Sequence, residues 1–389
     1  MTVQPEPVPE AIDLPAGFAA GAVHCGLKKA GALDLAILMA PEPVQAAALF
    51  TRNRLLGAHV HVCREHLAAS GGRARAVLVN ARNANCATGA RGVEDARRCC
   101  RELARRLDCP VEQVLMASTG PIGAPLPADR IVANLDALLA AADARGGMAF
   151  ARAIMTTDSY PKAVRAGTAG RSVTGFAKGS GMIHPDMATM LAFLLADAAP
   201  DGDATAALRE VADRSFHRVT VDGDTSPNDS LFLLASRRGS SAAALLEVAT
   251  RLARQVAGDG EGASRLITVQ VRGAPDEAAA AHVGRVVATS PLVKTAVAGR
   301  DPNWGRILSA AGRAGVPFDA DAARVWIGDV EVFGDGRPFV DREPAASGHL
   351  RDAVEVVLGV DLAAGPAGAD VWTCDLTADY VRINADYRT

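Results

Sequence analysis

The chain lacks the features that would place it in several broad classes. Its 41 basic and 44 acidic side chains nearly cancel, for a net charge of -3, so nothing draws it to nucleic acid or to a charged membrane surface. No apolar run approaches the roughly 20 residues that a membrane-spanning helix needs. Residues 1–15 are acidic and proline-rich, without the basic start and apolar stretch of a signal peptide, and read as a loose arm. A cytoplasmic location is the expectation.

Standard sites are missing too. The seven cysteines are scattered without C-x-x-C spacing, so reduced thiols are expected. Cys99 and Cys100 are neighbours on a helical pattern and point about 100° apart, which makes them poor partners for one metal. His59, His61 and His66 fit alternating strand positions better than a metal site, because no cluster of Cys or Asp accompanies them; no metal is expected. There is no G-x-S-x-G elbow and no H-E-x-x-H, and Lys178-Gly179-Ser180 lacks the upstream glycine of a phosphate loop. The acidic stretch 222–229 superficially suggests a calcium loop, but Pro227 replaces the sixth-position Gly and Leu233 the twelfth-position Glu. A conventional hydrolase, NTPase, zinc protease or EF-hand is therefore unsupported.

What remains is an ordinary globular composition, 49% hydrophobic and 22% charged over 389 residues, enough for two lobes or one large layered domain. Short apolar runs predict strands at 33–40, 75–80, 113–117, 191–196 and 266–271, paired strands at 218–221 and 231–235, and late strands at 324–333, 371–376 and 380–384. Helical spacing marks 93–107, closed by Pro110, and then 131–139, 206–216, 245–256 and 283–287. Strands and helices come in clusters without a repeat or a clean linker, which favours an α/β layered sandwich over a strictly alternating doubly wound sheet.

The chain is organised around residues 177–190, a run of glycines, a proline and small residues that gives way at Thr189 to the apolar strand 191–196. A hydroxyl held by a strand on one side, with flexible backbone exposing the Ala188 carbonyl on the other, suits self-cleavage. A Gly-rich loop entering a core strand accounts for the same residues.

Other blocks decide between the two. Residues 178–191 (KGSGMIHPDMATML), 118–123 (STGPIG), 154–162 (IMTTDSYPK), 221–229 (VDGDTSPND), 259–262 (DGEG), 290–306 (SPLVKTAVAGRDPNWGR) and 374–389 (CDLTADYVRINADYRT) together resemble the ornithine acetyltransferase family, also called glutamate N-acetyltransferase. The blocks run in the family's order from GFAAG at residue 17 to the last residue.

The resemblance implies a precursor that cuts itself between Ala188 and Thr189 into an α chain (1–188) and a β chain (189–389), which stay together in an αββα-type sandwich and pair as a dimer of αβ units. It implies Thr189 as nucleophile and Thr119 and Gly120 as the oxyanion hole. It implies Thr156, Lys178, Thr189, Glu261, Asn384 and Thr389 as substrate-binding residues, with Thr156 preferred over Thr157. Lys178 suits a carboxylate and Glu261 the ornithine ammonium. Trp304 and Arg306 read as structural neighbours of the site. The expected reaction moves an acetyl group from N2-acetylornithine to glutamate without metal or organic cofactor, some members also taking acetyl-CoA. A self-processing amidase or aminopeptidase with the same threonine, and water as acceptor, is the alternative.

Four positions depart from the family pattern. Ala81 and Arg82 stand where Ser-Gly is expected, His184 where the residue is usually small, and Asp186 where Asn is frequent. His184 reads as an exposed loop histidine.

Overall fold

The computed structural model describes residues 3–29, 31–184, 190–237, 239 and 241–386. Asp186, Ala188, Thr189 and Thr389 lie outside the described residues. The fold is mixed α/β, in two compact units. The described residues of 8–217 and 224–252 form the first, and those of 3–7, 218–223 and 253–387 the second. The expected chain boundary at 188/189 falls inside the residue range of the first unit.

The first unit is built on an eight-stranded sheet. Its strands are β1 (Ala19–Val23), β2 (Leu35–Phe50), β3 (Arg73–Asn80), β4 (Val114–Ser118), β5 (Lys162–Ala166), β6 (Val173–Lys178), β7 (Leu191–Ala198) and β8 (Ser230–Arg237). They lie in the order β4-β3-β2-β8-β7-β6-β5, with β1 on β2. Only β3/β4 and β7/β8 are parallel. Period-2 alternation sends Val114, Met116, Ala76 and Leu78 to one face, against the helix Gly89–Leu107. Leu115, Ala117, Val77 and Val79 face the other cluster, with the helix Gly147–Ile154. Although aromatics are few, five phenylalanines of that second cluster touch in a chain: Phe193 stacks on Phe232 at 5.4 Å, Phe50 meets Phe232 and Phe150 meets Phe193 edge-on, and Phe176 is tilted against Phe150. Each such pair contributes about 0.5–1.5 kcal/mol beyond its buried area. Gly175 in β6 lets the helix Ala242–Gly258 approach, because a Cβ there would stand 2.5 Å from Val248.

The second unit holds a six-stranded sheet of β9 (Leu266–Ala274), β10 (Arg324–Ile327), β11 (Val330–Gly334), β12 (Arg337–Pro338), β13 (Glu355–Asp361) and β14 (Ala367–Cys374), in the order β12-β11-β10-β13-β9-β14. Its apolar core joins these strands to the helices Glu277–Ala288 and Trp304–Gly312.

Several expectations need correction. His59, His61 and His66 sit on a helix, Ala58–Ala69, because Val60, Cys63 and Leu67 carry the stronger helical spacing. Residues 218–221 do not pair with 231–235: Val219 bridges Trp372 in β14, while β8 lies between β2 and β7. The run 324–333 is a hairpin of β10 and β11. The tail at 380–384 is helical, within Ala378–Asp386. The N-terminal arm is docked, with Val3 and Ile12 buried. All seven cysteines are free thiols, and burial pushes Cys63 and Cys99 up to about 12. Among the described residues no helix is long and apolar enough to cross a membrane.

Candidate active site

Strand β4 ends at Ser118, and the next two residues are held from several sides. Thr119 N–H donates to Asn80 O at 3.0 Å, and Thr119 O accepts from Asn83 N–H at 3.0 Å. Asn80 accepts at Oδ1 from Ser118 Oγ at 2.7 Å and donates through Nδ2 to Asn83 O at 2.9 Å. Asn228, buried just before β8, donates to Ser118 O at 2.7 Å and to Ala84 O at 2.5 Å. The strand end is thus clamped by two asparagines from distant parts of the chain.

Gly120 must be glycine. Its φ is +141°, and a Cβ would lie 2.4 Å from the carbonyl carbon of Arg82 and the nitrogen of Asn83. Arg82 adopts φ +68° in this same turn, the conformation a glycine would take at no cost, and Asn85 and Ala87 follow at +45° and +57°. The departure at Ala81 and Arg82 is therefore accommodated with the turn intact: Ala81 is buried and the Arg82 side chain is exposed. Gly120 N–H has no acceptor among the described residues.

Across from β4, β6 delivers Lys178. Lys178 pairs with Leu191, and its Nζ donates to Thr119 Oγ1 at 3.2 Å. The structure thus brings together Thr119, Gly120 and Lys178. Thr156 joins them through Asp158, whose buried carboxylate accepts from Thr156 N–H at 2.9 Å, Gly179 N–H at 2.6 Å and Lys162 Nζ at 2.7 Å. Burial alone would raise the Asp158 carboxyl, but the Lys162 and Lys178 ammonium groups and these hydrogen bonds hold it well below the usual carboxylate range. Asp229, 2% exposed, goes the other way: burial pushes it well above that range, against the pull of Lys178 and hydrogen bonds from Ser226.

Glu261 and Asn384 belong to the second unit and meet each other: Asn384 Nδ2 donates to Glu261 Oε2 at 2.9 Å. The loop carrying Glu261 is held by Asp375, which accepts from Ser264 N–H at 2.7 Å and Arg265 N–H at 3.0 Å, while Thr377 Oγ1 donates to Gly262 O at 2.7 Å. The tail helix that follows leaves Val381 65% exposed. His184 is half-buried, with its carbonyl accepting from Thr225 Oγ1. Trp304 stacks on Phe333 at 4.8 Å, and Arg306 bonds Leu292 O.

Sequence reasoning missed Asp158, Asn80, Asn228 and His59. The first and third stand in blocks that carry the resemblance, and that is the only signal they gave. His59 is fully buried with Nε2 3.1 Å from Ser230 Oγ, and burial lowers it to about 4.

The model of the ArgJ family matches residues 19–389. The chain belongs to the ArgJ family. An arginine biosynthesis bifunctional protein ArgJ of Parasynechococcus marenigrum is 47% identical over 96% of this chain and 94% of its own length. The ArgJ protein of Thermus thermophilus is also 47% identical, over 97% of this chain and 100% of its own. A solved ornithine acetyltransferase of Mycobacterium tuberculosis, complexed with ornithine, is 37% identical over 45% of this chain and 94% of its own, with a TM-score of 0.42. ArgJ family membership thus agrees with the resemblance carried by the motif blocks.

Proposed function

We propose that this chain is an acyltransferase that moves the acetyl group of N2-acetyl-L-ornithine to L-glutamate through an acetyl-threonine intermediate at Thr189, after cutting itself between Ala188 and Thr189. One observation carries this reading: Thr119 O–H and Gly120 N–H, two donors without acceptors among the described residues, stand together at a strand end beside Lys178, the last residue of the strand that precedes Thr189 in the chain.

The chemistry follows from the groups. A threonine hydroxyl is a weak nucleophile and needs a base. Cleavage releases the α-amine of residue 189, with an ordinary pKa of about 7.7–8.0, so a useful fraction is neutral near pH 7. That amine takes the proton as Thr189 Oγ adds to the acetyl carbonyl; the π pair moves to the oxygen, which accepts from Thr119 and Gly120. Collapse expels the ornithine amine, carrying the proton, and glutamate repeats the sequence in reverse. Removing one oxyanion donor typically costs about 2.7–4 kcal/mol of barrier.

Thr156, Lys178, Thr189, Glu261, Asn384 and Thr389 are the substrate-binding residues in this reading. No metal or organic cofactor takes part; acetyl-CoA is a second acetyl donor to be tried. The fragments 1–188 and 189–389 remain associated in an αββα-type fold, pair as (αβ)2, and work in the cytoplasm.

Intact mass under denaturing conditions tests the nucleophile. Wild type should give two fragments and Thr189→Ala a single 389-residue chain; an uncut wild type sinks the reading. Incubation with N2-acetylornithine, with and without glutamate, tests the acceptor. Acetate release indifferent to glutamate would indicate an amidase.

A further inference from the structure

We propose that Lys178 is a positioning residue for the oxyanion hole: it fixes the direction of the Thr119 hydroxyl proton and polarises it for donation to the oxyanion. This rests on the acyl-transfer reading above and adds to Lys178 a role separate from holding a substrate carboxylate.

An ammonium group has three N–H donors and no acceptor, whereas a hydroxyl has one O–H donor and two acceptor lone pairs. In the 3.2 Å contact between Lys178 Nζ and Thr119 Oγ1, the lysine must therefore donate and the threonine must accept. The Thr119 proton is left for another partner, and it has none among the described residues. A threonine hydroxyl at a strand end would otherwise turn its proton onto a nearby carbonyl and be lost as a donor. Here the contact occupies one lone pair of Oγ1 and turns the O–H away from the lysine, toward a side where no described residue accepts it.

The surroundings hold both partners still. Thr119 is 7% exposed, and its N–H and C=O are each bonded. Lys178 is the last residue of β6, paired with Leu191, and the next residue donates its N–H to the buried Asp158. Asp158 has its own direct cation in Lys162, at 2.7 Å. The lysine stem is thus fixed at its root while its head reaches the threonine. A hydrogen bond from a charged donor is roughly twice as strong as a neutral one, and the charge draws electron density from Oγ1 and strengthens the O–H as a donor. This influence increases as negative charge develops on the substrate oxygen, so it acts on the transition state more than on the bound substrate.

A double-mutant cycle tests it, with rates normalised to the self-cleaved fraction measured by intact mass. Thr119→Val should lower kcat about 10²-fold, as loss of an oxyanion donor does, and Lys178→Met should lower it about tenfold. In the Thr119→Val background, Lys178→Met should cost less than about twofold, because the hydroxyl through which it acts is gone. In the Thr119→Ser background, which restores a hydroxyl, the tenfold cost should return. If Lys178→Met costs the same factor with valine as with threonine, Lys178 acts independently of Thr119 and the inference is wrong. Where a variant does not mature, the rate of its self-cleavage replaces kcat in the cycle. An uncut wild-type chain would instead overturn the acyl-transfer reading, so the two failures are distinguishable.

Discussion

The corner built by Thr119, Gly120, Lys178 and Asp158 and the tail built by Glu261 and Asn384 are made in opposite ways. At the corner, hydrogen bonds tie separate segments together: Asp158 is buried and accepts from Thr156, Lys162 and Gly179, and Asn228 ties two carbonyls from separate segments. At the tail, Asn384 is exposed, its carboxylate partner is half-buried, and the helix carries Val381 and Ile383 to its surface. The difference separates two demands. Donors that must meet a charge developing within a few tenths of an ångström need fixed geometry. Groups that recognise a flexible amino-acid side chain can sit on an element that yields.

The largest effect should come from breaking the corner. Asp158→Asn leaves Lys162 buried without its counter-charge, and urea unfolding should show a loss of about 3–5 kcal/mol. A loss below about 1 kcal/mol would mean that the corner is no more constrained than the tail. Next comes His59, one hydrogen bond from Ser230 behind the corner. Burial holds it neutral down to about pH 4, while in the unfolded chain it takes a proton near the ordinary 6.5. The unfolded state then binds more protons between those values, so stability is full above pH 6.5 and falls as the pH drops toward 4, by at most about 3 kcal/mol. Unfolding midpoints across that range should show the slope in wild type and a flatter one in His59→Gln. The smallest effect on stability belongs to the tail. Asn384→Ala should change unfolding free energy by less than about 0.5 kcal/mol, while the KM for N2-acetylornithine rises. A KM unchanged by this variant would remove the tail from substrate recognition.

Much of the first sheet could be read from local pattern. Residues 75–80, 191–196 and 231–235 are apolar, short and branched, and each lies inside a strand, because a strand buried on both faces needs little except such a run. The helix at 93–107 was visible through Ala96, Cys100, Leu103 and Leu107. Residues 58–69 misled because two histidines at period 2 compete with an apolar stripe at helical period, and burial follows the stripe. Residues 218–221 misled because Val219 bonds to the strand of Trp372, and no local pattern records a partner so distant. The site divides in the same way. Thr119, Gly120 and Lys178 could be named from motif blocks, and the structure brings them together. The parts played by Asn80, Asp158 and Asn228 were hidden, since each bonds at least one group from a distant segment: Ser118 Oγ for Asn80, Gly179 N–H for Asp158 and Ser118 O for Asn228.

The strand order of the first sheet has one more consequence. β7 and β8 follow residue 189, but β6 on one side and β2 on the other precede it. A nick between 188 and 189 would leave two strands of one polypeptide clasped between strands of the other, in a single hydrogen-bonded layer. Neither piece alone would hold all eight strands of that sheet. The affinity of the two pieces would then be a folding free energy in another guise, and pieces made apart would have to refold around each other to join. The cut would be made in a finished sheet, and what it frees is a chain end, with the architecture left standing.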